Sequence, residues 1–92
     1  KNNYPEYFMK KLKVSLKDNK IIDNIFKEII NRYSDLNPNT DDGVRIDFPD
    51  GWVHMRKSNT EPIVRIFSES NDQKQADSLA LKIEKEIKSL SK

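Results

Sequence analysis

Two arginines, Arg56 and Arg65, bracket a short polar turn, Lys57-Ser58-Asn59-Thr60-Glu61-Pro62. An apolar run leads into the first arginine, and a second apolar run carries the other. This is how a site for a phosphate group is built on a hairpin. The guanidinium is a planar fork of donors that matches phosphate oxygens. Ser58 and Thr60 add hydroxyl donors. The backbone of such a turn can point further N–H groups inward as an anion nest. Asn59 suits a position that needs positive φ, because Asn tolerates it better than any residue but glycine. Pro62 has no N–H for a ladder and marks the return to strand. If Arg56 and Arg65 face each other, two like charges lie close together, which is unfavourable in an empty sheet. A bound dianion relieves that repulsion. The plain alternative is a solvated hairpin whose arginines only face water.

Other reactive residue types carry less. His54 is the sole histidine. It could titrate near neutral pH, but no nucleophile or partner carboxylate stands at a telling spacing, so a structural or surface role is expected. Trp52 could stack on a sugar, although covering one face of a sheet is the commoner use of such a ring. Asp41-Asp42-Gly43 has no third carboxylate at calcium-loop spacing and no closing Glu. No metal site is expected.

The elements that must position the arginines follow from hydrophobic periodicity. Met9 to Leu16 alternates, with Leu12, Val14 and Leu16 on one side and Lys11, Lys13 and Ser15 on the other, as a half-buried strand does. Asp18 is a fair N-cap for a helix with Ile22, Ile25, Phe26, Ile29 and Tyr33 on its core stripe. Ser34 to Asp42 reads as a turn-rich connector. Val44, Ile46 and Phe48 make a second strand, and Pro49-Asp50-Gly51 a hairpin turn. A third strand runs from Trp52 to about Lys57, with Val53 and Met55 inward and Trp52, His54 and Arg56 outward. A fourth runs from Ile63 to Glu69, with Val64 and Ile66 inward and Arg65, Phe67 and Glu69 outward. Period-two geometry thus places both arginines on one face. Asp72, with Gln75 three residues on, resembles a capping box. It opens a last helix striped by Ala76, Leu79, Ala80, Ile83, Ile87 and Leu90. The order is strand, helix, three antiparallel strands, helix. Both helical stripes need one sheet face, so the expected fold is a two-layer α+β sandwich.

Composition bounds the rest. Ninety-two residues make one domain. A chain of this size buries about 60–65% of its unfolded surface, so modest stability is expected. The 17 Lys+Arg against 15 Asp+Glu leave a net charge of +2. That is a mixed surface, without the basic stripe that nucleic acid selects. No apolar run approaches the ~20 residues of a membrane span. Cysteine is absent, which rules out disulfides and thiolate metal sites. With no secretory signal or glycosylation sequon, a reducing cytoplasm is the expected setting.

Arg56-Lys57-Ser58-Asn59-Thr60-Glu61-Pro62-Ile63-Val64-Arg65 resembles the phosphate-binding loop of the α-D-phosphohexomutases, whose pattern is Arg-x-Ser-(Gly/Asn)-Thr-x-Pro. Every fixed position matches. Asp42-Gly43-Val44-Arg45-Ile46-Asp47, Asp50-Gly51-Trp52-Val53 and the trailing Glu69 are similar as well. Asn59 in place of Gly looks more like the phosphomannomutase/phosphoglucomutase branch than the phosphoglucosamine branch. The resemblance implies the last of four domains in an enzyme that moves a phosphoryl group between the 1- and 6-positions of a hexose. It implies a fold similar to the TATA-box-binding-protein class. Residues 1–8 would be a linker from the preceding domain, and 9–92 the phosphate-binding domain. The loop would hold the phosphate that is not being transferred while the domain closes the cleft. Arg56, Ser58, Asn59, Thr60 and Arg65 would be its ligands. The partners implied are a hexose phosphate and the three other domains, with neither nucleic acid nor membrane. Those domains would supply the phosphoserine, magnesium and sugar-recognition loops. No cofactor and no catalytic residue is expected within these residues. The reading from a different class is a small nucleic-acid-binding or protein-interaction α+β domain.

Overall fold

The computed structural model describes residues 8–41, 43–49, 51–58 and 60–91. Its elements are β1 (Phe8–Ser15), α1 (Asn19–Arg32), β2 (Val44–Phe48), β3 (Gly51–Lys57), β4 (Ile63–Ser70) and α2 (Gln73–Leu90). The four strands form one sheet in the order β1-β4-β3-β2, and every neighbouring pair is antiparallel. The expected α+β sandwich is what forms. Strands β2, β3 and β4 are a meander. Helix α1 carries the chain across the sheet from one edge, β1, to the other, β2. The meander then returns β4 to the side of β1.

One face of the sheet holds the core. Val14, Val44, Ile46, Val53, Met55, Val64 and Ile66 point to it. They meet Ile22, Ile25 and Ile29 of α1 and Leu79, Ala80, Ile83 and Ile87 of α2 in a single buried cluster. Each helix is anchored at its start by an aspartate. Asp18 accepts from Ile21 N at 3.0 Å. Asp72 accepts from Lys74 N at 2.9 Å, the second helical amide rather than the third that a capping box uses. Ser68 lies inside the core, where its hydroxyl donates to Ala76 O at 2.6 Å. A buried hydroxyl needs such a partner, and this one ties β4 to the first turn of α2.

Two local expectations are corrected and one is refined. Phe8, assigned to the linker, pairs with Ser70 and opens β1; residues 1–7 lie outside the described residues. The connector after α1 includes a 3₁₀ turn, Ser34–Leu36, ended by Asn37 in the left-handed region at φ 50°. Gly51 is a strand residue paired with Phe48 and Ser70, and not part of the turn. Its lack of a side chain serves the β3–β4 contact instead. A Cβ there would fall 2.1 Å from Glu69 O.

Candidate phosphate-binding site

Strand alternation gives the sheet a second face, away from both helices, and β3 and β4 present the arginines on it. Arg56 stands directly opposite Arg65 in the ladder, and both side chains are exposed. Directly opposed residues place their Cβ atoms about 4.5–5.5 Å apart. Two guanidinium groups carried on opposed positions, at the end of the sheet where the turn begins, can grip one anion between them.

The turn itself is tightly closed. Ser58 N donates to Ile63 O at 3.0 Å, and Ile63 N to Glu61 O at 2.8 Å. Pro62 O accepts from Leu16 N at 2.8 Å, which ties the turn to the end of β1. Lys57 reaches the other way, to Asp23 of α1 at 2.9 Å, and so pins the base of the hairpin to the helical layer. These bonds narrow the donor set. The Ser58 amide is engaged within the hairpin, which leaves Ser58 its hydroxyl. Thr60 N is held only loosely, at 3.4 Å from Ser58 Oγ, and Thr60 is exposed. Asn59, a ligand in the sequence reading, lies outside the described residues.

Arg56 is positioned from below by Gly43. That residue has φ +76°, and a Cβ on it would lie 2.2 Å from Met55 O. The same point is 3.3 Å from Arg56 Cγ and 3.3 Å from His54 Nε2. The bare backbone at Gly43 therefore lets β2 enter flush against β3, under the stem of Arg56 and the ring of His54. His54 is registered between Arg45 and Phe67. Arg45 is turned away from the loop. Its Nε lies 3.2 Å from Asp47 Oδ1, and its guanidinium sits 4.8 Å from the centre of the Trp52 ring. A cation over that ring occupies the face on which a sugar or base would stack.

The outer face is electrically polarised. The charged row nearest the loop is Lys13, Arg65 and Arg56. The next holds Lys11, Phe67, His54 and Arg45. Among the described residues of the strands, the carboxylates of this face, Glu69 and Asp47, lie in the row farthest from the loop, with Met9 and Trp52. Lys13 escaped the sequence reading as a site residue. Its outward direction was legible from alternation, but its place beside Arg65 depends on the β1–β4 pairing.

The family model for the phosphoglucomutase/phosphomannomutase C-terminal domain matches residues 9–86, which takes in the sheet apart from Phe8, all of α1 and most of α2. This chain belongs to that family. Curated relatives of the phosphohexomutase domain agree. It is 40% identical to the phosphoglucosamine/phosphogalactosamine mutase of Sulfurisphaera tokodaii over 83 residues, 88% of this chain and 18% of that enzyme. It is 37% identical to the phosphoglucosamine mutase of Methanococcus maripaludis over 78 residues, 82% of this chain and 17% of that enzyme. Over 37 residues, 40% of this chain and 8% of that enzyme, it is 57% identical to the phosphoglucomutase/phosphomannomutase of Thermococcus kodakarensis. The chain thus spans less than a fifth of the length of these relatives. It corresponds to the C-terminal domain of that family.

Proposed function

We propose that this domain binds the phosphate of a hexose phosphate that is not being transferred, and that its movement closes the active-site cleft of the parent mutase. The observation that carries the reading is the register of Arg56 against Arg65 at the mouth of a hydroxyl-bearing turn. Arg56 supplies a fork to the phosphate oxygens, and Arg65 supplies the second charge. Ser58 donates its hydroxyl. Thr60 donates its hydroxyl and its loosely held amide. Asn59 shapes the turn. The chemistry of transfer belongs to the other domains, so the isolated domain is catalytically silent. Magnesium belongs with that chemistry, in the other domains. A cytoplasmic setting fits an enzyme of sugar phosphates.

The sugar is the finer question. Asn59 in the motif speaks for a phosphomannomutase/phosphoglucomutase preference. Most of the named relatives are phosphoglucosamine mutases, so an amino-sugar phosphate belongs among the substrates tried.

The test is Arg56→Ala in the full-length enzyme that contains this domain. A charge-assisted hydrogen bond contributes about 1.5–3 kcal/mol. The KM for hexose 1-phosphate is therefore expected to rise about 10- to 100-fold. Unchanged kinetics with this substituted enzyme overturn the reading.

A further inference from the structure

Lys13 lies directly across β4 from the arginine pair. The ladder registers Lys13 against Arg65 on one side, as it registers Arg56 against Arg65 on the other. Three cations therefore form one row across three strands, and all three side chains are exposed on the face away from the core. Directly opposed residues on neighbouring strands are within about 5.5 Å at Cβ, so the terminal charges of this row can converge on one point above Arg65. No ion pair joins Lys13 or Arg65 to a carboxylate among the described residues. Among the described residues of the strands, the carboxylates of this face, Glu69 and Asp47, stand in the row farthest from the loop. Lys13 and Arg65, like charges directly side by side, are unfavourable in an empty sheet. An anion at the loop end compensates them.

We infer that Lys13 is a third cation of the phosphate site, a positioning residue on β1 that the ten-residue loop motif does not contain. This rests on the phosphate-binding reading of the Arg56–Arg65 pair and extends it by one strand. Arg56 and the turn hydroxyls bind oxygens directionally. The Lys13 ammonium, on a flexible stem, supplies charge without a fixed fork. It adds to the attraction that draws a dianion onto Arg65 and holds it there. The site is then a charged strip on the sheet as well as a loop. The competing role for a lysine on an edge strand is to prevent edge-to-edge pairing with another chain. The two roles differ in what they predict.

The experiment uses the full-length mutase with Lys13→Gln, Lys13→Arg, Arg56→Ala and Lys74→Gln, assayed with hexose 1-phosphate at several salt concentrations. Lys74 is exposed at the start of α2, and its loss makes the same change in net charge. The expected result is a KM raised about 3- to 5-fold by Lys13→Gln, with kcat unchanged. Lys13→Arg restores KM, and Lys74→Gln leaves it alone. The gap between wild type and Lys13→Gln closes towards 1 M salt, where the screening length falls to about 3 Å. If Arg56→Ala raises KM and Lys13→Gln does not, the inference about Lys13 is overturned while the phosphate reading stands. Self-association of Lys13→Gln in sedimentation, with KM unchanged, assigns Lys13 to guarding the edge and overturns it equally. If Arg56→Ala is itself silent, the reading beneath both claims has failed.

Discussion

Arg56 and Arg65 occupy opposed positions on β3 and β4, two like charges that the sheet holds face to face on its exposed side. Directly opposed like charges are destabilising in a sheet. The pair becomes favourable when a dianion lies between the two forks. Stability and binding therefore pull in opposite directions at Arg65. In the 92-residue chain at low salt and without phosphate, Arg65→Gln is expected to keep or raise the melting temperature. A gain of about 0.5 kcal/mol corresponds to roughly 2–4 °C in a domain of this size. Inorganic phosphate should then stabilise wild type more than the variant, by mass action on the folded form. Thermal melts with and without phosphate measure both effects. A variant that melts well below wild type in phosphate-free buffer would show that Arg65 is held for the fold.

Gly43 gives a second prediction. At φ +76° its conformation is one that residues with a side chain rarely adopt, and a Cβ would meet Met55 O at 2.2 Å. Backbone is the obstacle here, so no flexible side chain can yield. Gly43→Ala is expected to destabilise the domain by about 1–3 kcal/mol. It should also shift the amide signals of His54 and Arg56, because β2 can relax only by pulling away from β3. Denaturant unfolding and a two-dimensional amide spectrum check the two parts separately. A stable Gly43→Ala with unmoved His54 and Arg56 signals would show that this entry to β2 does not set the site.

How much of this was visible in the sequence depended on the range of the interaction. Alternation alone told which way Arg56 and Arg65 point, because inward Val53, Met55, Val64 and Ile66 fix the other face. A short hairpin between them then left few registers. The helices were legible for a similar reason: Asp18 and Asp72 cap stripes of isoleucine, leucine and alanine that cannot face water. What failed to show was non-local. Gly51 looked like the second half of an Asp-Gly turn, whereas its constraint is the carbonyl of Glu69 on another strand. Lys13 looked like one of several surface lysines, since nothing within β1 says that β4 will lie beside it. Ser68 broke the apolar pattern of β4's inner face, and its reason is the Ala76 carbonyl of α2.

Tyr33 carries the last prediction, at the junction of α1, β2 and α2. Its hydroxyl donates to Glu86, and the same carboxylate takes Arg32 Nη1 at 2.8 Å. The Tyr33 ring meets Phe48 edge-on at 5.6 Å, while Lys82 lies over both rings. Burial, and then the bond to Glu86, hold the phenol well above its ordinary pKa of 10.0. The folded state thus favours the neutral phenol more than the unfolded state does. A group raised in this way contributes its full stability below about pH 10 and loses it as pH climbs towards the folded value. Tyr33→Phe keeps the ring contacts and removes the hydroxyl. It is expected to cost about 1 kcal/mol at pH 7–9. The cost should shrink steadily above pH 10, as wild type alone pays for keeping its phenol protonated. Parallel denaturant titrations of the two proteins across pH 7–11.5 measure the difference directly. Contributions common to both proteins cancel, so that difference reports Tyr33. A gap that stays constant through pH 11 would mean that the hydroxyl contributes packing but no proton linkage.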